Sequence, residues 1–144
     1  MYTISAAAAK IGLTAHTLRY YDKEGLLPFV NKSASGARLF KETDFEWLAI
    51  IECLKQTGLP LQKIKQFIDW AMQGDTTLKQ RYKLFLERKA EVEKQIQTLR
   101  QARQKILYKC WYYRTALAAG TSKIHEKSLE QLAKERYFAR KTKT

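Results

Sequence analysis

The sequence predicts a mainly α-helical protein in which a winged helix-turn-helix, with a short β-hairpin as its wing, precedes one long coiled-coil helix. Three observations predict this fold: two short capped helices near the start, a turn-rich segment after them, and a long apolar repeat with alternating spacings of four and three. They divide the chain into a winged helix-turn-helix domain at 1–74, a dimerisation helix at 75–113 and a short basic tail at 114–144.

The composition is that of a folded chain with excess positive charge. Of its 144 residues, 45% are hydrophobic, and the formal net charge is +13. Residues 1–74 hold nine Lys/Arg and seven Asp/Glu, whereas residues 75–144 hold eighteen and seven, so most of the excess lies in the second half. This charge favours a polyanionic partner but does not identify the surface that contacts it.

The amino terminus and the cysteine content argue against a secreted or membrane protein. No run of eighteen apolar residues occurs, and the first residues lack the basic start and apolar core of a signal peptide. The two cysteines, Cys53 and Cys110, are too few for a disulfide framework. We therefore expect a cytoplasmic protein with no membrane partner.

Two short helices are predicted at the start of the chain. Ser5 is a candidate N-cap of the first helix, and Gly12 provides its stop. Thr14 caps a second helix, which Gly25 closes. Two helices joined by a turn of about three residues form the helix-turn-helix pattern of DNA-binding proteins, although any small helical protein can contain such a pair.

Residues 26–41 have a different character, because turn formers and basic residues stand between short apolar runs. Pro28 breaks the helix, and the stretch NKSASGAR supplies a flexible basic tip. Directly after a helix-turn-helix, such a hairpin is expected to be a wing, and the alternative is a plain surface loop. The flanking apolar residues are Phe29, Val30, Leu39 and Phe40.

Two further helices are predicted before the long one. Thr43 or Asp44 can cap a third helix that runs to about Gln56, and since it is apolar nearly all round we expect it to be buried. A fourth helix begins after Pro60 and ends at Gly74. One apolar face of the fourth helix is formed by Leu61, Ile64, Phe67, Ile68 and Ala71.

The segment 76–113 carries the most regular pattern in the chain. Apolar residues follow an alternating four-three spacing, broken only by Lys89 and Arg103, which can extend away from the seam. An exposed seam on a long helix needs a partner, and we expect a second copy of the chain, the alternative being that the helix folds back on its own domain. The predicted interface residues are Leu78, Tyr82, Phe85, Val92, Ile96, Leu99, Ile106, Cys110 and Tyr113.

The tail after this helix is basic and only partly patterned. Leu129, Leu132 and Ala133 can form a short helical face before a charged end.

Several segments together resemble the MerR family of transcription regulators over residues 2–113. They are TLRYYDKEGLLPF at 17–29, Arg38-Leu39-Phe40 at wing distance and GLPLQKI at 58–64, followed by the long helix. The resemblance implies a homodimer, paired through an antiparallel coiled coil, on double-stranded operator DNA. It also implies that RNA polymerase is affected indirectly, through distortion of the promoter.

The resemblance assigns the DNA contacts to the second helix, the wing and the start of the fourth helix. In the second helix we expect Leu18 to point into the core, and one of the two adjacent tyrosines can also be a core residue. Arg38 can instead brace the hairpin by pairing with Asp22, and Lys63 can be a solvated lysine. The expected contacts are Thr14, His16, Thr17, Arg19, Tyr20, Tyr21, Lys32, Ser33, Arg38 and Lys63.

A narrower similarity concerns the effector. Two segments are similar to the AdhR/NmlR-type branch, which senses aldehydes and electrophiles in stress responses. They are IECLKQTGLPLQKIKQF at 51–67 and KCWYYRTALAAGT at 109–121. That branch places a cysteine where Cys53 stands, so Cys53 is a candidate sensor, with plain core packing as the alternative. Cys110 is expected to pack in the seam. Metal-sensing members need cysteines near the start and after the end of the long helix, and the absence of both predicts no metal site here.

Three other functions compete with that of a regulator that responds through a cysteine. The two histidines, His16 and His125, are distant in sequence, and no glycine-rich phosphate loop occurs, so we expect neither an enzyme nor a cofactor. An architectural DNA-binding protein without effector would share the winged helix but not need the seam. A regulator with a non-covalent effector could line its pocket with Trp47, Trp70, Trp111, Tyr112 and Tyr113.

Overall fold

The computed structural model describes residues 1–125 and 127–142, without the side chains of 127–130, 132, 141 and 142. Two compact units are present, Met1–Val92 and Glu93–Thr144. Single turns of 3-10 helix occur at Gly74–Thr77 and Ser122–His125. The regular elements of the described chain are α1 (Ile4–Ile11), α2 (Ala15–Lys23), β1 (Asn31–Lys32), β2 (Arg38–Leu39), α3 (Asp44–Gln56), α4 (Leu61–Met72), α5 (Leu78–Ala119) and α6 (Lys127–Thr142).

Hydroxyl caps and a left-handed glycine define the helix-turn-helix formed by α1 and α2. Gly12 ends α1 at φ 72°, as predicted, and the Thr14 side chain caps α2 by accepting a hydrogen bond from the Thr17 amide. The prediction that Ser5 caps α1 is wrong. Thr3 accepts the hydrogen bond from the Ala6 amide, and Ser5 lies inside the first turn of the helix.

The core of the first unit lies between α1, α2, α3 and α4. Leu18 of α2 is fully buried, as expected. The expectation that α3 is buried holds for one face only, because α3 packs through that face and leaves Ala49 and Cys53 exposed. Other fully buried side chains are Leu26, Leu27, Phe40, Leu48, Ile51, Leu54, Ile64 and Ile68.

The predicted hairpin is present, with shorter strands than its apolar flanks suggested. β1 pairs antiparallel with β2 in the register Asn31↔Leu39 and Lys32↔Arg38. Gly36, at φ 85°, closes the tip. Beyond the strands, Tyr2 and Phe40 exchange two backbone hydrogen bonds of 2.7 and 2.8 Å, so the amino terminus joins the base of the wing.

A buried carboxylate fixes the point where the wing returns to α3. Asp44, only 1% exposed, accepts hydrogen bonds from the backbone amide of Lys41 at 3.0 Å and from its ammonium at 2.7 Å. The same ammonium donates to the Phe29 carbonyl at 2.9 Å. Both ends of the wing are therefore held by one lysine and one aspartate.

Two sets of contacts attach the start of α5 to the rest of the first unit. The Arg81 guanidinium donates to the Gly74 carbonyl at 2.8 Å and to the Thr77 hydroxyl at 3.1 Å. A row of four aromatic side chains also connects the wing base to α5. The centroids of successive rings along this row are 5.7, 6.4 and 5.3 Å apart. The row consists of Phe29, Trp47, Phe67 and Phe85.

In the second unit, aromatic side chains of α5 pack against the segment that follows it. The His125 ring stacks on Tyr112 with centroids 4.2 Å apart. Its Nε2 lies 2.9 Å from the Tyr112 carbonyl and 2.7 Å from the Thr115 hydroxyl, and because a carbonyl only accepts, Nε2 carries the proton. Tyr108 packs between Trp111 and the α6 aromatics.

The second unit also contains the predicted tail. Residues 127–142 form α6, in which Ala133 is half-buried, while the side chains of Leu129 and Leu132 lie outside the described residues. None of the helices in the described part of the chain is both long enough and apolar enough to cross a membrane.

Asp44→Ala should destabilise the fold by about 2–4 kcal/mol, because it leaves a partly buried lysine ammonium and a backbone amide without their acceptor. Urea unfolding at one fixed protein concentration measures the change. Glu46→Ala, an exposed carboxylate in the same helical turn, is the control and should change stability by less than about 0.5 kcal/mol. Equal losses in the two variants would contradict the role given to Asp44.

Candidate nucleic-acid interface

The exposed face of α2 carries side chains suited to bases and phosphates. His16, Arg19, Tyr20 and Lys23 are exposed, and their spacing of three, four and seven places them on one side of the helix. Leu18 and Tyr21 occupy the opposite, buried side. Lys23 was not among the predicted contacts, although its position seven residues after His16 is a signal present in the sequence.

The two threonines at the start of α2 serve the helix terminus. Thr14 is exposed and Thr17 is half-buried, and their hydroxyl oxygens lie 2.9 Å apart. Because the Thr14 hydroxyl accepts the Thr17 amide at 3.1 Å, it orients the first turn of α2. Both hydroxyls lie at the same end of the helix as His16.

The predicted DNA contact of Tyr21 is not retained, because its ring is in the core. Tyr21 is 1% exposed, and its hydroxyl donates to Oε1 of Glu52 at 2.6 Å and accepts from the Lys55 ammonium at 3.1 Å. Burial first, and then the hydrogen bond to Glu52, raise the pKa of Tyr21 above its ordinary value of 10.0. The hydrogen bond to Tyr21 is also the main cause that raises the pKa of Lys55.

In the wing, one of the two predicted basic contacts is exposed and the other is a brace. Lys32 is exposed on β1, whereas the Arg38 guanidinium forms a 2.6 Å ion pair with Asp22 and donates to the Val30 carbonyl at 2.6 Å. The alternative of a brace is therefore the role the structure supports for Arg38, and its DNA contact is not retained. Ser33 is half-buried, and its hydroxyl accepts from the Ala37 amide within the tip.

The remaining predicted contact lies on α4. Lys63 is exposed in the first turn of this helix, which Pro60 precedes with φ −61°. Backbone amides at a helix start attract phosphate, and the lysine adds a positive charge at the same place. On the neighbouring surface, the Lys65 stem lies against Gly25, where a Cβ would come within 2.9 Å of its Cε.

Cys53 is an exposed free cysteine on α3, so the interpretation of plain core packing is wrong. A surface cavity of about 430 Å³ adjoins it between α1 and α3, with Ile11, Glu52 and Gln56 in its walls. Glu52 is the same carboxylate that accepts the Tyr21 hydroxyl. The thiol therefore neighbours a contact that positions α2.

The predicted seam lies along α5 and is largely uncovered in the single chain. Leu78, Tyr82, Leu99, Ile106 and Tyr113 are each more than half exposed. Of the other members, Ile96 and Cys110 are exposed and Val92 is half-buried. The Phe85 ring packs edge to face against Phe67.

Among the side chains that the structure describes, neither cysteine belongs to a group that could hold a metal. Within residues 1–125 and the described part of α6, no cluster of three or more His, Cys, Asp or Glu side chains occurs.

Comparisons with known proteins agree on one family. The family described as MerR HTH family regulatory protein matches residues 2–69, and the one described as MerR, DNA binding matches residues 45–108. An uncharacterized HTH-type transcriptional regulator of Haemophilus influenzae is 43% identical over 122 residues, which cover 85% of this chain and 90% of that protein. The HTH-type transcriptional regulator AdhR of Bacillus subtilis is 37% identical over 78 residues, or 54% of this chain and 56% of AdhR.

Solved structures show the same similarity. HiNmlR, described as a MerR family regulator lacking the sensor domain and bound to promoter DNA, matches with a TM-score of 0.79 and 43% identity, over 85% of this chain and 97% of that one. A MerR family transcriptional regulator from Bacillus thuringiensis matches with a TM-score of 0.70 and 46% identity, over 76% of this chain and 96% of that one.

Tyr21→Phe should remove a pH dependence of stability at alkaline pH. A raised folded-state pKa means that the stability contributed by the protonated hydroxyl is fully present below pH 10.0 and is lost as the pH rises through the folded-state value. The stability of the unmodified protein relative to Tyr21→Phe should therefore fall as the pH rises above 10.0, measured by urea unfolding.

Tyr20→Phe, which alters the exposed neighbouring tyrosine of α2 outside the seam, is the control and should keep the pH dependence of the unmodified protein. A stability difference between the unmodified protein and Tyr21→Phe that stays constant with pH would refute the coupling of Tyr21 to Glu52.

Proposed function

The chain belongs to the MerR family of helix-turn-helix regulators, and on that premise we propose that it binds promoter DNA as a homodimer and regulates transcription. One observation carries the proposal: its fold matches, over 85% of its length and at 43% identity, that of a family member bound to promoter DNA. Residues 1–74 bind the duplex and residues 75–113 pair the two copies, while the predicted basic tail, 114–144, begins inside α5, which continues to Ala119.

In this proposal α2 enters the major groove with its exposed face. Arg19 offers a forked pair of donors to guanine or phosphate, while His16 and Tyr20 flank it on the same side of the helix. Thr14 and Thr17 lie at the N-terminal end of α2, which enters the groove. Lys23, near the other end of α2, extends the basic face towards the duplex backbone. Tyr21, on the buried side of α2, holds this helix against α3 through its hydrogen bond to Glu52.

The wing and α4 contact the DNA backbone. Lys32 at the wing and Lys63 at the start of α4 each supply a positive charge, and Ser33 offers backbone and hydroxyl groups beside Lys32. Arg38 holds the wing against α2 through Asp22, so it sets the distance between the two DNA-contacting elements.

Pairing of two copies along α5 gives the protein its two-fold symmetry on DNA. A protein with two-fold symmetry binds two half-sites on one face of the duplex, separated by a whole number of helical turns. The family resemblance favours an antiparallel coiled coil, in which the first half of each α5 packs against the second half of the other.

The regulatory step is a change in DNA shape. A dimer that grips both half-sites can bend and untwist the spacer between promoter elements, so that RNA polymerase responds to the DNA and not to a direct contact. Since this action consists of binding and deformation, we expect no catalysed reaction, no cofactor requirement and a location in the cytoplasm.

Cys53 is the proposed sensor of an electrophile, aldehyde or oxidant. Its thiol is exposed, and it adjoins a cavity that is large enough for a small reactive molecule. An adduct would crowd Glu52, which holds the hydroxyl of Tyr21 in α2. A chemical change at Cys53 can therefore shift the DNA-reading helix through two side chains.

A duplex selected from a random pool should contain a two-fold symmetric site, and Arg19→Ala should weaken binding to it by about 1–3 kcal/mol. Fluorescence anisotropy at constant salt measures the affinity. Arg100→Ala removes the same charge from an exposed position on α5 outside the seam and should change affinity by less than about twofold. If both variants weaken binding equally, or if selection enriches no sequence, α2 is not the reading element.

Cys53→Ser should abolish induction of a promoter reporter by formaldehyde or methylglyoxal, because serine cannot form the thiol adduct. Cys110→Ser is the matched control and should leave induction intact. Induction that survives in Cys53→Ser would remove this cysteine from the mechanism, while the DNA-binding proposal would stand.

A further inference from the structure

A cavity of about 500 Å³ lies within the second unit, between the second half of α5 and α6. Its volume falls in the range of sites that enclose small organic molecules. Leu107 and Trp111 of α5 and Tyr137 of α6 form its apolar walls. Flat rings on two sides of one cavity suit a ligand with an aromatic or branched apolar body.

The charged side chains that line the same cavity are all cationic among the residues the structure describes. Arg114 of α5 and Arg136 and Arg140 of α6 line it, and no acidic residue lines it among the side chains that the structure describes. Among the side chains the structure describes, these three guanidiniums form no ion pair. Guanidinium groups bind carboxylates, sulfonates and phosphates through paired hydrogen bonds, so the cavity combines an apolar floor with an anion clamp.

The spacing along both helices accounts for this arrangement. Arg136 and Arg140 are four residues apart, as are Leu107 and Trp111, so each helix presents one continuous face to the cavity. Arg114 continues the α5 face one turn beyond Trp111 and does not occupy a position of the four-three seam. Cys110, which also lines the cavity, does belong to the seam, so the cavity borders the face along which two copies pair while its three arginines lie outside the seam positions.

We propose that this cavity is a binding site for a small organic anion that carries an aromatic or branched apolar group next to a carboxylate, sulfonate or phosphate. The ligand would bridge α5 and α6, because each helix contributes both an aromatic wall and at least one guanidinium. A duplex backbone is the weaker candidate for these arginines, since a walled cavity with aromatic sides accommodates an apolar body and a DNA phosphate brings none.

A ligand bound in this cavity would link α6 to α5. The link would lie near the turn before α6, where His125 stacks on Tyr112 and bonds its carbonyl. As a regulatory input this rests on the proposed function, because it assumes that α5 joins DNA-binding modules. The binding of an anion itself does not depend on that assumption.

The test uses the full-length protein and two dyes that differ by one charged group. 8-Anilino-1-naphthalenesulfonate is the anionic probe, and N-phenyl-1-naphthylamine is its neutral counterpart. The site variant is Arg136→Gln with Arg140→Gln. The control is Arg100→Gln with Lys134→Gln, which removes the same charge from exposed positions on the same two helices outside the cavity.

Fluorescence titration should show that the site variant binds the sulfonate about tenfold more weakly, because two charge-assisted contacts are lost. The control should stay within about twofold, and the neutral dye should bind both alike. Equal affinity of the sulfonate for both variants, an equal loss in both, or no sulfonate binding by the unmodified protein would each overturn the proposal. A loss of duplex affinity in the site variant relative to the control, measured without dye, would also overturn it, since the arginines would then serve the DNA backbone.

A second measurement separates this inference from the proposed function. Duplex affinity is measured with and without saturating sulfonate dye, in the unmodified protein and in the site variant. A shift in the unmodified protein alone supports a regulatory site. An unshifted affinity overturns the regulatory role while the anion site stands, whereas failure of the unmodified protein to bind any duplex counts against the proposed function.

Discussion

The apolar seam along α5 is the constraint on which the rest of the molecule depends. Leu99 is 70% exposed and Ile106 is 61% exposed in a single chain, and both lie on a helix of 42 residues. Burying one large aliphatic side chain completely is worth about 1.5–3 kcal/mol, so a row of such residues strongly favours pairing. A second copy offers the matching row over the same length, and two DNA-binding modules are then held in one particle.

Pairing matters for function only if the start of α5 is firmly attached to the module it carries. The attachment combines polar and aromatic contacts: Arg81 satisfies carbonyl and hydroxyl oxygens at the α4–α5 junction, and Phe85 meets Phe67 edge to face. From Phe67 the aromatic row continues to the base of the wing, which Asp44 holds. The wing, α4 and the start of α5, as far as Val92, therefore belong to one packed unit, and the DNA-contacting elements are attached to the first part of the dimer helix.

Features set by local chemistry could be predicted from the sequence, whereas most side-chain partners set by tertiary packing could not, and the pair of Arg38 with Asp22 was available only as an alternative. Gly12, Thr14 and the hairpin follow from backbone preference and capping, and the seam follows from simple periodicity. By contrast, Thr3 and Ser5 are equally good caps in isolation, so the choice depends on where α1 meets the bridge between Tyr2 and Phe40.

The same limit explains the errors at the candidate site. Tyr20 and Tyr21 are chemically alike, and only the positions of Glu52 and Lys55, more than thirty residues away, turn Tyr21 into a core residue.

The most direct test of the whole account is the mass of the protein in solution, by light scattering at micromolar concentration. The account predicts twice the chain mass of 16.8 kDa, with Leu99→Asp shifted towards one chain and Gln101→Asp unchanged. A single-chain mass for the unmodified protein, or a dimer that Leu99→Asp leaves intact, would contradict it.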